Sequence, residues 1–386
     1  MRSSAQKIIA ALSDRNAGEL LGELLAKADV TIGGDRPWDV IVHDERLYSR
    51  ILREGTLGLG EAYVEGWWDS PALDQMLHKV ALARLDAALR ENWVLIVHAL
   101  KARLFNLQAV TRAFEVGQKH YDLGNDLYEA MLDPLMVYTC AYYDGTPGQT
   151  LAEAQRAKLD LVCRKLALEP GMKVLELGCG WGGFARHAAE KYGVHVTGYT
   201  VSKEQVAWAK QRANGLPIDF RLEDYRNATG TYDRVVSIGL MEHVGPKNYR
   251  GYMELVDRCL APGGIGFVHT IATNYASGQM DPWVDKYIFP NAVTPSLAQM
   301  NAAMAGLLVI EDVHNIGESY DHTLMAWWKN FDAAWPSLRA KYGEPFYRMW
   351  KYYLLTSAAL FRARYLQLFQ IVMTRPGTPQ PRTLRR

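Results

Sequence analysis

From Glu176 to Gly183 the chain reads Glu-Leu-Gly-Cys-Gly-Trp-Gly-Gly, an acid followed by glycines at 178, 180, 182 and 183. Glycines so spaced let a backbone turn sharply and pass close to a ligand that side chains would hold away. Gly178, Gly180 and Gly183 also satisfy the GxGxxG spacing of a dinucleotide loop. That reading needs a carboxylate at the end of the next strand to hold a ribose, and Val196-Thr-Gly-Tyr-Thr-Val-Ser202 offers none. Thr200 and Gln205 open the following helix, where polar groups reach a ligand's carboxylate or ribose hydroxyl, and Glu223 ends the third strand, where it accepts from an amino group. Cys140, His269 and Tyr320 carry thiol, base and phenol functions, but each alone reads as a core residue. No pair among Glu242, His243, His269, His314 and His322 has i, i+4 spacing and no HExxH occurs, so no metal is expected.

Elements that could position these groups follow from periodicity. Thr150 and Glu153 make a capping box for a helix ending near Leu166, and Ser202 with Gln205 makes another. Strands are expected at Lys173 to Leu177, His195 to Gly198, Ile218 to Leu222, Asp233 to Ser237 and Gly266 to Ile271. Two further apolar runs, Leu307 to Val313 and Phe369 to Met373, complete a seven-stranded sheet. Alternating helix and strand from Thr150 onward implies an α/β domain whose sheet is covered on both faces. Residues 1–92 mix amphipathic helical patterns with the glycine- and aromatic-rich run Gly58 to Asp69 and form a smaller, mostly helical domain. Residues 93–114 read as a basic amphipathic linker helix with Lys101, Arg103 and Arg112, packed between domains, and residues 115–386 form the catalytic domain.

The bulk composition narrows the class. A chain of 386 residues exceeds one ordinary hydrophobic core, and 49% hydrophobic with 22% charged suits a folded protein. Its net charge of +1 gives no global field for nucleic acid, so no nucleic-acid partner is expected. The four cysteines lie far apart with no CxxC pair, which fits neither a disulfide framework nor a zinc ribbon and suits a reducing cytoplasm. No run is long and apolar enough to span a bilayer, and the N-terminal apolar run is too short for a signal peptide.

The acid before tightly repeated glycines resembles the first motif of class I methyltransferases, whose backbone passes close to the methionine part of the cofactor. Longer motifs are more specific: His120 to Tyr128, Tyr138-Thr-Cys-Ala-Tyr142, Leu175 to Gly183, Met241-Glu-His-Val-Gly-Pro-Lys-Asn-Tyr249 and Ser319-Tyr-Asp-His-Thr-Leu324. In this order they resemble the cyclopropane-fatty-acyl-phospholipid synthases, over nearly the whole chain. The resemblance implies a seven-stranded Rossmann-like class I methyltransferase fold and S-adenosylmethionine held by Tyr138, Glu176, Gly178, Gly180, Gly182, Thr200, Gln205 and Glu223. It implies a methylene bridge across a cis alkene through a carbocation, deprotonated by a bound bicarbonate. The anion would be held by the backbone N–H groups of Cys140 and Ile271, the ring of His269 and the phenol of Tyr320, with Glu242 orienting or accepting the proton. Implied too is work on a bilayer of unsaturated phospholipid from its cytoplasmic face, as a peripheral enzyme with which a homodimer is compatible. Two rival readings are a fatty-acid methyltransferase leaving a methyl branch, which needs a hydride source, and a non-catalytic lipid-binding module.

Overall fold

The computed structural model describes residues 14–84, 124–275 and 280–381. The expected linker helix and residues 120–123 of the first long motif lie outside the described residues. The chain divides into two compact units.

The smaller unit takes in residues 14–84, 280–290 and 332–365. It is built of helices Asp14–Ala26, Arg46–Glu54, Thr56–Val64, Leu73–Leu82, Pro282–Tyr287 and Glu344–Arg362, with one short antiparallel pair, β1 (Ile41–Val42) and β2 (Trp68–Asp69). Its core is aromatic. The Tyr63 and Trp68 rings meet at 5.0 Å, the Trp283 and Tyr352 rings at 4.7 Å, and the buried indole of Trp68 donates to the Leu59 carbonyl. Gly60 belongs to this packing: a Cβ there would lie 2.4 Å from Cδ1 of Trp283. Arg348 covers Tyr63 at 4.2 Å while pairing with Asp69 at 2.9 Å, so one cation serves packing and charge together.

The larger unit holds a seven-stranded sheet: β3 (Lys173–Leu177), β4 (His195–Thr200), β5 (Ile218–Leu222), β6 (Tyr232–Ile238), β7 (Leu260–Ala272), β8 (Val309–Asn315) and β9 (Gln367–Thr374). Its order is β5-β4-β3-β6-β7-β9-β8, parallel from β3 to β7, with β9 antiparallel to both of its neighbours. From β3 the chain winds outward to β4 and β5, then returns to β6 on the other side. This switch point opens a crevice at the carboxyl ends of β3 and β6.

Each face of the sheet has its own core. Leu175, Leu177, Val235, Val268, Ile371 and Met373 pack against helices Tyr249–Cys259 and Leu297–Met304. Val174, Val236, Phe267 and Val372 alternate onto the other face, under helices Leu151–Lys165 and Gly183–Tyr192. By that alternation Glu176, His269 and Gln370 belong to the second face, polar groups among apolar ones.

The strand and helix expectations hold with shifted ends. The Thr150–Glu153 box is reciprocal, but the Ser202 cap is not. Ser202 accepts from the Gln205 N–H, while the Gln205 amide oxygen accepts instead from the Thr200 hydroxyl at 2.8 Å. Strand β8 begins at Val309 rather than Leu307, and β7 starts at Leu260, where a register shift opposite Tyr232 and Arg234 accommodates the turn at Gly263.

Candidate active site

The glycine loop leaves β3 and enters helix Gly183–Tyr192 with Gly178, Gly180 and Gly182 all at positive φ (78°, 53° and 76°). The glycines are not equivalent. A Cβ at Gly182 would lie 2.5 Å from Phe220, so packing alone requires that glycine, whereas a Cβ at Gly180 would meet no protein atom within 4 Å. Gly180 therefore borders open space, and packing within the described residues does not explain the glycine there.

Glu176 lies directly before this loop, buried at 2% exposure. It is tied to the backbone of Ala185 in the first turn of the helix, where free N–H groups favour a carboxylate. Its Oε2 is buried with no hydrogen-bond partner, and burial pushes its pKa up to about 8. A buried oxygen of this kind awaits a donor. Thr200 and Gln205, both buried, hydrogen-bond each other at the end of β4. Glu223 is exposed at the end of β5, and its N–H donates to the Thr200 carbonyl. Tyr138 is half-buried, its ring 5.2 Å from Tyr128 and 5.0 Å from Trp327.

The second group of residues collects at the ends of β6 and β7. Gly239 follows β6 and donates to the His269 carbonyl at 2.8 Å, which places the short helix Met241–Val244 over the end of β7. Glu242, buried on that helix, accepts the Ile271 N–H on Oε1 at 2.6 Å. Its Oε2 is buried without a partner, and burial raises its pKa to about 7. His269 is buried too. Its Nδ1 lies 3.4 Å from the Gln370 amide nitrogen, its Nε2 has no partner, and burial pushes its pKa well below the usual histidine value. A neutral ring accepting at Nδ1 carries its proton on Nε2 and is a donor into the site.

Cys140 and Tyr320 sit on two segments that are bonded to each other. Ala141 donates to Thr323 Oγ1 at 3.1 Å, and Tyr143 to Ser319 Oγ at 3.2 Å. These bonds stitch the segment after Cys140 onto helix Glu318–Tyr342, where Tyr320 stands one turn before Thr323. Tyr320 packs edge-on to Trp327 at 6.1 Å, so Tyr138, Trp327 and Tyr320 form one aromatic run. The Cys140 thiol is buried and its pKa pushed well up, so its side chain acts as an apolar filler. The Ile271 N–H, expected to face an anion, donates to Glu242.

Sequence reasoning missed Gln155, Lys158 and Gln370, which hold the site from beneath. Gln155 donates to the Thr139 and Val137 carbonyls at 2.8 and 3.3 Å. No motif marks these residues; the signal available was their place on faces otherwise apolar.

A family model described as mycolic acid cyclopropane synthetase matches residues 108–371. The chain belongs to that family. As a cyclopropane synthetase family member it is 47% identical over 362 residues to the cyclopropane-fatty-acyl-phospholipid synthase of Escherichia coli, covering 94% of each chain. It is 32% identical over 354 residues to a tuberculostearic acid methyltransferase of Mycobacterium tuberculosis, covering 87% of this chain and 82% of that one. Among solved structures, a mycolic acid cyclopropane synthase complexed with SAH and CTAB matches with a TM-score of 0.63 and 31% identity, over 67% of this chain and 97% of that one. The chain is an enzyme with a class I methyltransferase fold, as the glycine loop and strand order imply.

Proposed function

We propose that this enzyme transfers a methylene group from S-adenosylmethionine to the cis double bond of an unsaturated phospholipid acyl chain, closing a cyclopropane ring. Bound bicarbonate would be the base. The observation that carries the base assignment is the pair of buried polar atoms, Glu242 Oε2 and His269 Nε2, that no group among the described residues satisfies.

The site residues fit both groups. When bound, S-adenosylmethionine supplies an electrophilic methyl carbon, and bicarbonate an exchangeable proton acceptor. Glu176 Oε2 would take the cofactor's α-ammonium, and Thr200 with Gln205 its carboxylate or ribose hydroxyls. Gly178, Gly180 and Gly182 would let the backbone approach the methionine moiety, Tyr138 would cover it, and Glu223 would reach the adenine. Across the aromatic run, His269 would donate from Nε2, Tyr320 from its phenol and Cys140 from its backbone. Ile271 would act by holding Glu242, whose free oxygen takes or orients the proton. Aromatic faces exclude water and tolerate positive charge without quenching it.

For a substrate within a bilayer the enzyme must work from the surface, peripherally and on the cytoplasmic face, and among the described residues no helix is long and apolar enough to cross a membrane. The smaller unit supplies the docking surface in this reading. It exposes Leu20, Ile41 and Leu82 at 40, 41 and 59%, and it carries Trp38 beneath Arg36 and Lys79 and Trp67 beneath Arg46 and Arg50. Each of these cations is also paired with an acid, Arg36 and Lys79 with Asp29, Arg46 with Asp44, and Arg50 with Glu61 and Glu65, so the exposed apolar side chains carry the docking reading. Leu82→Asp is expected to cut co-sedimentation with phosphatidylglycerol-containing vesicles several-fold while leaving S-adenosylhomocysteine affinity unchanged. Undiminished co-sedimentation would move the docking surface elsewhere.

The decisive assay is mass analysis of vesicle lipid after incubation with enzyme and S-adenosylmethionine. A gain of CH2 with loss of the alkene is expected; a gain of CH4 would assign the methyl-branched product of the second reading, which the tuberculostearic relative favours. In carbonate-depleted buffer turnover should slow and recover on adding bicarbonate. An enzyme free of bicarbonate and fully active would leave a protein side chain as the base.

A further inference from the structure

Lys158 is fully buried in helix Leu151–Lys165, beneath the face of the sheet that carries Glu176 and His269. Taking an ammonium out of water is costly, and burial lowers its pKa to about 8. Its hydrogen bond goes to Thr139 Oγ1 at 2.8 Å, the residue between Tyr138 and Cys140. Thr139 is itself wedged against β6: a Cβ on Gly239 would lie 2.8 Å from Thr139 Cγ2. One turn earlier on the same helix, Gln155 holds the Thr139 and Val137 carbonyls.

The charged and titratable groups that Lys158 faces are Asp133, Cys140, Glu176 and His269. Asp133 is occupied by the N–H groups of Leu135 and Val137. Around Glu176 are Lys158 and the thiols of Cys163 and Cys179, both kept neutral by burial, besides the Ala185 N–H. Among the described residues, Lys158 is therefore the cation that Glu176 faces.

We propose that Lys158 is a positioning residue of the cofactor site: its buried ammonium pins Thr139, and with it the Tyr138 to Cys140 segment, and balances the charge of Glu176 so that this carboxylate can receive the cofactor's α-ammonium. The inference rests on the assignment of Glu176 to the cofactor. Two cations then share one carboxylate, Lys158 from beneath the sheet and the cofactor from the crevice. The same charge disfavours protonation of His269, keeping that ring a neutral donor.

The test is a double-mutant cycle on the full chain, with S-adenosylhomocysteine binding followed by calorimetry from pH 6 to about 8.5, a window spanning both groups. Lys158→Met should bind at least tenfold more weakly near pH 7 and recover as the pH rises, because without the ammonium Glu176 ionises only at higher pH. Glu176→Gln should bind weakly with no such rise, and adding Lys158→Met to it should cost much less than in the wild type. Lys158→Met is expected to melt lower than the wild type, since it removes one partner of a buried pair and the hydrogen bond to Thr139, so affinities are compared where the variant is folded. If that variant fails to fold, Lys158→Gln, which can still donate to Thr139 but has no charge, replaces it in the cycle. Unchanged affinity and pH profile in the folded lysine variant, or additive losses in the cycle, would overturn the proposal. Wild-type affinity in Glu176→Gln alone would instead overturn the cofactor assignment beneath it.

Discussion

Glu242→Gln is expected to lose about a hundredfold or more in turnover, the usual scale for removing a general base or its partner, with little change in cofactor affinity. The substitution keeps the shape and the oxygen that accepts the Ile271 N–H, and removes only the capacity of the second oxygen to take or orient a proton. In the wild type, turnover should fall as the pH drops through about 7, where the raised pKa lies, and the residual activity of the variant should lack that limb. Stability should move oppositely. The folded carboxyl holds its proton up to about 7, whereas the unfolded chain releases it near 4.5. This contribution is fully present below 4.5 and lost as the pH rises to about 7. At pH 8 the glutamine variant should therefore melt higher than the wild type. A variant with full turnover would remove Glu242 from the reaction; one that melts lower at pH 8 would show its buried carboxylate to be satisfied.

The second large effect belongs to Gly180. Gly180→Val should abolish measurable binding of S-adenosylmethionine in a chain that still folds, because a Cβ there meets open space where the cofactor is proposed to lie. A β-branched residue at a φ of 53° is strained, so some loss of melting temperature is expected as well. Gly182→Val is the contrasting control: its side chain would collide with Phe220 and damage the fold itself. Calorimetry on the folded Gly180 variant decides the matter, and wild-type affinity there would reject the loop as the cofactor cradle.

Much of the larger unit was legible because its signals are local. Alternation in Lys173 to Leu177, the Thr150 and Glu153 pair and the glycines after Glu176 each report a conformation set by neighbours in sequence. The roles proposed for Glu242, His269 and Tyr320 came only from the family resemblance, since the burial of all three and the unsatisfied atoms of Glu242 and His269 are properties of the folded chain. Lys158 was not legible as functional, because a lysine spaced i, i+4 from Ala154 and Val162 signals only that it shares the buried face. Neither was the fit of Trp283 against Gly60, nor Arg348 over Tyr63: pairings between distant segments leave no period in the sequence. The Ser202 cap misled for a related reason, since the Gln205 side chain had a competing partner in Thr200.

All four cysteines are buried and unpaired, and for each burial pushes the thiol pKa upward. Thiolates are the species that react with maleimides, iodoacetamides and peroxides, so these four are chemically quiet in the native state. The wild-type chain is thus already a blank background for site-specific labelling, with no cysteine needing removal. A single cysteine introduced at Leu82 could carry a polarity-sensitive fluorophore and report arrival at a vesicle in real time, its emission separating adsorption from turnover.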